Sequence, residues 1–106
     1  MKYVILYITA KDRAEAGKIG RVLVEERLAA CVNILDNVHS MYWWEGRVQS
    51  DTEAVIIAKT REELTEKAVA RVKSVHSYSC PCVVALPILN GSKDYLDWIK
   101  KETGGL

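Results

Sequence analysis

Hydrophobic and polar positions divide the chain into alternating strand-like and helix-like segments. Residues 3–9 form a continuous apolar run with β-branched members, which is typical of a strand covered on both faces. Apolar residues then recur at helical spacing as far as about Leu28. Asp12 is the predicted N-cap of this helix, and Glu15 is its capping-box partner. The pattern therefore predicts a strand followed by a helix.

A long hairpin is predicted over residues 29–59, with its turn at residues 44–47. Aromatic and β-branched residues crowd both arms, and Gly46 supplies the positive φ that a tight turn requires. Each arm has about a dozen residues, whereas a typical strand has roughly five or six. A small domain cannot cover so long a ribbon, so we expect its far end to pack against another copy of the chain.

A second helix and a last strand follow the hairpin. Thr60 begins a second predicted capping box, which would open the helix. Residues 83–88 are the last predicted strand. Because Pro87 has no N–H to donate, we expect this strand to lie at an edge of the sheet or to be broken at Pro87. A short final helix is predicted after a turn, with Ser92 as its cap.

The predicted order of elements is β-α-β-β-α-β with an added C-terminal helix. Two βαβ units joined by a hairpin make the ferredoxin-like α+β sandwich, with both helices on one face of an antiparallel sheet. A chain of 106 residues fits one domain, over residues 1–106. This fold serves many unrelated functions and does not identify the activity.

Composition limits the kinds of partner and the cellular compartment that we expect for this protein. The 15 basic and 14 acidic residues leave a net charge of +1, which gives no electrostatic reason to expect a nucleic-acid or membrane partner. No apolar run reaches the roughly 18 residues that a membrane helix requires. The apolar N-terminus is too short for a signal peptide, and three cysteines fit a reducing compartment. We therefore predict a cytoplasmic location.

Reactive side chains concentrate in residues 76–82. His76 and Tyr78 precede two thiols, Cys80 and Cys82, which would point the same way in an extended backbone. Thiolates and an imidazole suit Cu(I) or Zn(II) better than hard cations. The alternative is that the thiols are small apolar fillers and that His76 makes an ordinary hydrogen bond.

Polar residues of the hairpin are further candidates. Asn33 shares a strand face with Cys31, which suggests a hydrogen-bonding role, although an exposed sheet edge would explain it equally well. Lys59 precedes the second predicted helix and could bind an anion at its N-terminus, or it is a solvated strand end. The aromatic residues before the turn could stack a ligand, but a subunit interface explains them more simply.

Five short motifs follow one another along the chain, namely Ala30-Cys31-Val32-Asn33-Ile34, Tyr42-Trp43-Trp44-Glu45-Gly46, Lys59-Thr60, His76-Ser77-Tyr78 with Pro81, and Tyr95-Leu96-Asp97-Trp98. Together they resemble the CutA family of divalent-cation tolerance proteins, from Tyr3 to about Glu102. The resemblance implies a ferredoxin-like protomer in a homotrimer built from long hairpin arms. It also implies a cytosolic protein linked to tolerance of copper and other divalent metals, with PII-like ligand sensing in clefts between subunits.

The resemblance implies three sets of functional residues. Two positions match metal contacts of the family, and a loop thiol is added to them on chemical grounds, giving Cys31, His76 and Cys82. The ligand-binding cleft would use Lys59, Tyr78 and Asn33. The trimer interface would use Tyr42, Trp43, Trp44 and Glu45.

The chain also departs from the family pattern. Ser77 stands where the family usually has proline, and Cys82 stands where it usually has glutamate. Copper-binding bacterial relatives carry a cysteine at the position of Ile8 and a histidine at that of Val75. A copper site copied from them therefore lacks ligands, which Cys80 or Cys82 would have to replace.

The sequence thus predicts a non-enzymatic, trimeric metal-tolerance protein. Its partner would be copper, another soft or borderline divalent metal, or an unidentified small ligand, without an organic cofactor. Two alternatives stay open: a thiol-redox enzyme that uses Cys80 and Cys82, and a purely structural trimeric scaffold. The spacing of these thiols is not Cys-x-x-Cys. Neither His39 nor His76 lies in a motif that pairs it with a serine or aspartate.

Overall fold

A computed structural model of the protein describes residues 1–104. Its elements are β1 (Tyr3–Ala10), α1 (Arg13–Glu25), β2 (Cys31–Trp44), β3 (Arg47–Arg61), α2 (Thr65–Val75), β4 (Val83–Ile88) and α3 (Lys93–Glu102). The four strands form one sheet in the order β2-β3-β1-β4, and every neighbouring pair is antiparallel. This is the predicted ferredoxin-like α+β architecture with a C-terminal helix, so the fold prediction is confirmed.

The two faces of the sheet differ. One face carries Val4, Leu6 and Ile8 of β1, which belong to the buried core with the apolar residues of α1 and α2. The register places Arg61 on the other face, where its guanidinium donates hydrogen bonds of 2.8 Å to the hydroxyl and the carbonyl oxygen of Thr103. The C-terminal helix α3 therefore lies over one end of this second face.

Strands β2 and β3 extend beyond the sheet as a two-stranded ribbon, residues 38–53. They have 14 and 15 residues, and the molecule is accordingly elongated, with extents of 46 × 25 × 22 Å. At the tip, Glu45 and Gly46 have φ angles of 51° and 76°, the two positive values of a type I′ turn. The predicted hairpin and its turn are confirmed.

A β-bulge interrupts the pairing of β2 with β3. Leu35 lies opposite Val55 and Val38 opposite Glu53, so β2 has one more residue than β3 between these pairs. At the bulge, Asn37 has a positive φ of 56°, a value that asparagine tolerates better than most residues. Beyond the bulge, even-numbered residues of β2 continue the face that odd-numbered residues occupy before it.

The predicted helix start at Thr60 is wrong. Thr60 is fully buried in β3 opposite Val4, and α2 begins only after a 3₁₀ turn over Glu62–Leu64. Pairing with β1 therefore outweighs the local capping motif. Lys59 lies within the strand and not beside a helix N-terminus, so the anion site predicted there lacks the helix it requires. Ser92 precedes α3 but makes no side-chain capping hydrogen bond.

Candidate functional site

A hollow of about 760 Å³ lies where the ribbon meets β1 and the loop of residues 76–82. Aromatic rings, two thiols and a carboxylate contribute to its wall. The residues of the wall that matter below are Tyr42, Trp43, Trp44, Glu53, Tyr78, Cys80 and Cys82. We call this cavity the hollow.

Glu53 is a buried acidic residue in the wall of the hollow, only 7% exposed. The Tyr78 hydroxyl donates a 2.7 Å hydrogen bond to its carboxylate. Burial raises the pKa of Tyr78, and the hydrogen bond to Glu53 and its negative charge raise it further. On the ribbon, the Tyr42 hydroxyl donates a 2.5 Å hydrogen bond to Asp51, which likewise raises the pKa of Tyr42. Both phenols therefore stay neutral donors at neutral pH.

His76 attaches the loop to β1. Its side chain is fully buried, Nε2 donates to the Thr9 carbonyl oxygen at 2.8 Å, and Nδ1 accepts from the Tyr78 N–H at 3.0 Å. Because a carbonyl oxygen can only accept, the ring proton is on Nε2 and the lone pair of Nδ1 is already used. Neither nitrogen is free to bind a metal ion or to act as a general base.

Glu15 supports the same loop from α1. Its carboxylate accepts hydrogen bonds from the backbone N–H groups of Ser77, at 2.8 Å, and Lys11, at 3.0 Å. The Glu15 N–H donates to the Asp12 carboxylate at 2.9 Å, so the predicted cap at Asp12 is confirmed. Burial alone would raise the pKa of Glu15, but the hydrogen bonds from Ser77 and Lys11 bring it below its usual value.

The two thiols of the loop have different surroundings. The carbonyl oxygen of Cys82 accepts from the Thr9 N–H at 3.3 Å, which extends the pairing of β1 with β4 by one residue. Burial raises the pKa of the Cys82 thiol, and the charge of Glu53 raises it further. Both residues are exposed overall, Cys80 where the chain bends and Cys82 directly before β4. Both residues nevertheless line the hollow.

A second polar cluster lies farther along β3, away from the hollow. Cys31 pairs with Lys59 across the strands, and the Lys59 ammonium lies 3.6 Å from the Cys31 sulfur. The ammonium also donates a hydrogen bond to the Asn33 side-chain oxygen. Burial raises the pKa of Tyr95 on α3, and the neighbouring Cys31 thiol raises it further. Cys31 and Asn33 therefore share a face, as predicted from their spacing.

One chain does not bring the predicted metal set together. Cys31 belongs to the second cluster, and only Cys82 of the set lines the hollow. The ring nitrogens of His76 are both engaged in hydrogen bonds, so it cannot ligate without giving one up. Within residues 1–104, no group of three or more His, Cys, Asp and Glu side chains is placed to hold a metal ion.

The predicted ligand-cleft set is divided in the same way. Tyr78 lines the hollow, whereas Lys59 and Asn33 belong to the second cluster. The residues predicted for the subunit interface all lie at the distal end of the ribbon and are exposed in the single chain, namely Tyr42, Trp43, Trp44 and Glu45.

The sequence did not predict that Glu15 and Glu53 belong to the site, nor that Ser50 contacts His39 across the ribbon. The Ser50 hydroxyl lies 2.9 Å from Nε2 of His39, and both side chains are exposed. The hairpin register creates this pair, because residues on neighbouring strands are opposed without being close in sequence. The same register places Glu53 beside the loop. The alternating pattern of the two arms was the only signal for either contact.

Residues 4–102 match the family described as CutA1 divalent ion tolerance protein. This chain belongs to the CutA1 family. The predicted resemblance is therefore confirmed, and the relation to divalent-ion tolerance holds at the level of the family. The family description names no metal and no reaction.

Individual CutA relatives support the assignment. Protein CutA, chloroplastic, from Arabidopsis thaliana is 45% identical over 94% of this chain, but the chain spans only 55% of that protein. The divalent-cation tolerance protein CutA from Thermus thermophilus is 45% identical, with 94% of this chain and 97% of the relative covered. A solved structure, the periplasmic divalent cation tolerance protein CutA from Archaeoglobus fulgidus, has a TM-score of 0.93 at 44% identity, covering 95% of this chain and 98% of that one.

The compartments named for CutA1 relatives differ. The Arabidopsis protein is described as chloroplastic and the Archaeoglobus structure as periplasmic. Among the helices of residues 1–104, none is long and apolar enough to cross a membrane. A cytoplasmic location for this chain stays a prediction.

Proposed function

We propose that this member of the CutA1 family is a non-enzymatic binding protein for soft or borderline metal ions, and that it works as a homotrimer held by the ribbon. The observation that carries the proposal is the hollow at the base of the ribbon, which places two thiols beside aromatic walls. Thiolates are the side-chain ligands that such metal ions prefer. The family's link to divalent-ion tolerance supports the same class of ligand.

The groups around the hollow favour binding over catalysis. The Tyr78 hydroxyl is committed to Glu53, and His76 has no free ring nitrogen to act as a base. A thiol-redox enzyme needs a thiolate favoured by a lowered pKa, whereas burial raises the pKa of Cys82. Neither a general base nor an activated nucleophile is therefore supplied by Tyr78, His76 or Cys82.

The ribbon supports assembly with other copies of the chain. Met41 and Trp43 are 72% and 73% exposed in the single chain. Trp44 and Val48 of the ribbon are also exposed and enlarge its apolar surface. Large exposed apolar surfaces of this kind mark protein interfaces. We infer three copies, and not another number, because the sequence motifs resemble those of a family whose members form homotrimers. A neighbouring subunit packed on the ribbon would also border the hollow.

Sedimentation equilibrium at micromolar concentration tests the assembly. We expect the mass of three chains for the wild type and a lower mass for Trp43→Asp, because an unpaired charge in an interface costs several kcal/mol. Val24→Asp is the matched control, since Val24 is an exposed apolar residue of α1 outside the ribbon. A monomeric wild type would overturn the assembly part of the proposal.

Isothermal titration calorimetry of the reduced protein with Zn²⁺ tests the binding. We expect uptake that weakens as the pH falls, because thiols must lose their protons to coordinate. Mg²⁺ should give no comparable heat, since it requires oxygen ligands. A trimer that binds no Zn²⁺ would instead favour the purely structural scaffold.

A further inference from the structure

The carboxylate of Glu53 is only half satisfied. Glu53 is buried in the wall of the hollow, and one of its oxygens accepts the 2.7 Å hydrogen bond from the Tyr78 hydroxyl. Within residues 1–104 the other oxygen accepts no hydrogen bond, yet it is not one of the fully enclosed polar atoms that lack a partner. This oxygen therefore faces the open space of the hollow. A buried carboxylate with a free oxygen is stabilised by a cation.

Asp51 supplies a second carboxylate on the same face of β3. It lies two residues from Glu53, and side chains at this spacing point the same way, about 7 Å apart along the strand. Tyr42, which lines the hollow, donates its hydroxyl to Asp51. That hydrogen bond raises the pKa of Tyr42, and the negative charges of Asp51 and Glu53 raise it further. Both carboxylates therefore act on the space beside this ring.

No basic side chain in the described lining of the hollow balances this charge, since none of these residues is lysine or arginine. Tyr42 and Trp44 occupy even positions beyond the bulge and so share the face of Glu53. Both rings are exposed in the single chain. Aromatic faces attract ammonium groups, and they also offer apolar area to a methylene chain.

These features distinguish between classes of ligand. An anion would be repelled by the carboxylates. A hard metal ion needs several oxygen ligands, and residues 1–104 provide no group of three or more His, Cys, Asp and Glu side chains to hold it. An aliphatic polyamine carries ammonium groups joined by short methylene chains, which can bridge two carboxylates at the spacing of Glu53 and Asp51. The volume of the hollow, about 760 Å³, is typical of a small-molecule site.

We propose that the hollow binds an aliphatic polyamine, with one ammonium group at the free oxygen of Glu53, a second near Asp51, and the methylene chain against Tyr42 and Trp44. Tyr78 keeps its hydrogen bond to the other oxygen of Glu53, so no buried hydrogen bond is lost on binding. The site goes beyond the proposed binding of metal ions, because it uses carboxylates and aromatic rings and neither thiol.

Isothermal titration calorimetry with spermidine at low ionic strength tests the site. The wild type should bind one spermidine per chain. A neutral diol of the same chain length should give no comparable heat, because it cannot form charge-assisted hydrogen bonds with the carboxylates. Methylammonium should bind at least about tenfold more weakly than spermidine, since it reaches one carboxylate and leaves the rings uncovered. Equal affinity for spermidine and either of these probes would overturn the proposal.

Glu53→Gln should bind spermidine at least about tenfold more weakly, because the charge is lost while an acceptor for Tyr78 remains. Glu66→Gln is the matched control. Glu66 lies beside Glu62 and Glu63 on a second acidic surface, whose described lining contains no aromatic ring. Its affinity should equal that of the wild type. An equal loss in Glu66→Gln would show attraction to negative charge alone and would overturn the site, as would unchanged affinity in Glu53→Gln.

Asp51→Asn guards against misfolding of the Glu53 variant. Asp51 is exposed, so the unfolding temperature of this variant should match the wild type while its affinity for spermidine falls. Retention of wild-type affinity by Asp51→Asn counts against the site. If Zn²⁺ binds and spermidine does not, this inference fails and the proposed function stands, because the two ligands use different donors.

Discussion

The Tyr78 hydroxyl donates a 2.7 Å hydrogen bond to Glu53 and so ties the loop of residues 76–82 to the base of the ribbon. Glu53 is almost fully buried, although its carboxylate would otherwise be well hydrated. The bond therefore compensates part of the cost of burying the carboxylate. It also couples the loop that carries the thiols to β3, which pairs with the strand that carries the aromatic residues.

Tyr78→Phe should lower the free energy of unfolding by about 1.5–3 kcal/mol, because the buried carboxylate of Glu53 loses a hydrogen bond. Guanidinium unfolding at one fixed protein concentration measures this, since assembly makes stability depend on concentration. Tyr42→Phe is the control: its partner Asp51 is exposed, so the loss should be smaller. Equal losses in the two variants would contradict the role assigned to Glu53.

Glu15→Gln should reduce stability at neutral pH, and its effect should shrink in acid. The pKa of Glu15 is lowered in the folded protein, so its stabilisation is present above its usual value of 4.5 and is lost as the pH falls through the lower folded value. Unfolding curves of both proteins, measured across this range, check the sign.

Glu26→Gln is the matched control for Glu15. The hydrogen bond from Arg71 also lowers the pKa of Glu26, but this pair is exposed, so salt should screen its contribution. A Glu15→Gln effect that is constant with pH, or that disappears in salt as the control does, would show that Glu15 is not acting through its charge in the loop.

Arg61→Met should destabilise the protein by about 2–3 kcal/mol, because two buried hydrogen bonds from a charged group to Thr103 are lost. Thermal unfolding followed by circular dichroism gives the change. Arg27→Met is the comparison, since Arg27 reaches the Glu102 carbonyl at the end of the same helix from an exposed position. If Arg27→Met is as damaging as Arg61→Met, burial is not what makes the Arg61 contact strong.

The wild type should hydrolyse p-nitrophenyl acetate no faster than Ser50→Ala. The contact between Ser50 and His39 lies on the exposed ribbon, where water competes for both groups. An activated serine needs a base that is itself oriented and a site that stabilises the oxyanion. Hydrolysis that disappears in Ser50→Ala or in His76→Ala would contradict the non-enzymatic proposal.

Asp12 and Thr60 show how far local sequence motifs predict the fold. Each is followed by glutamate three residues later, the pattern of a capping box. At Asp12 the strand has already ended, and the cap forms. At Thr60 the strand continues, because β1 offers partners for its backbone as far as Arg61. A capping motif carries no information about where strand pairing stops, so its failure at Thr60 was not visible in the sequence.

The site was predictable where its members are neighbours in sequence. The loop of residues 76–82 could be found because its reactive side chains are adjacent. The role of His76 could not, since its partner Thr9 lies 67 positions away and offers only a backbone oxygen. Glu53 is likewise separated from Tyr78 by 25 positions and joins it through the register of β3. Tertiary contacts of this kind leave no local pattern.

The extra residue between Leu35 and Val38 bends the ribbon without changing which side chains it presents. Without Asn37, the alternation of β2 would run unbroken past this point, and Val38 would still lie opposite Glu53. Trp43 and the other residues of the distal ribbon would therefore keep their faces. What a one-residue deletion would change is the local bend and twist, and with them the direction in which the ribbon leaves the sheet.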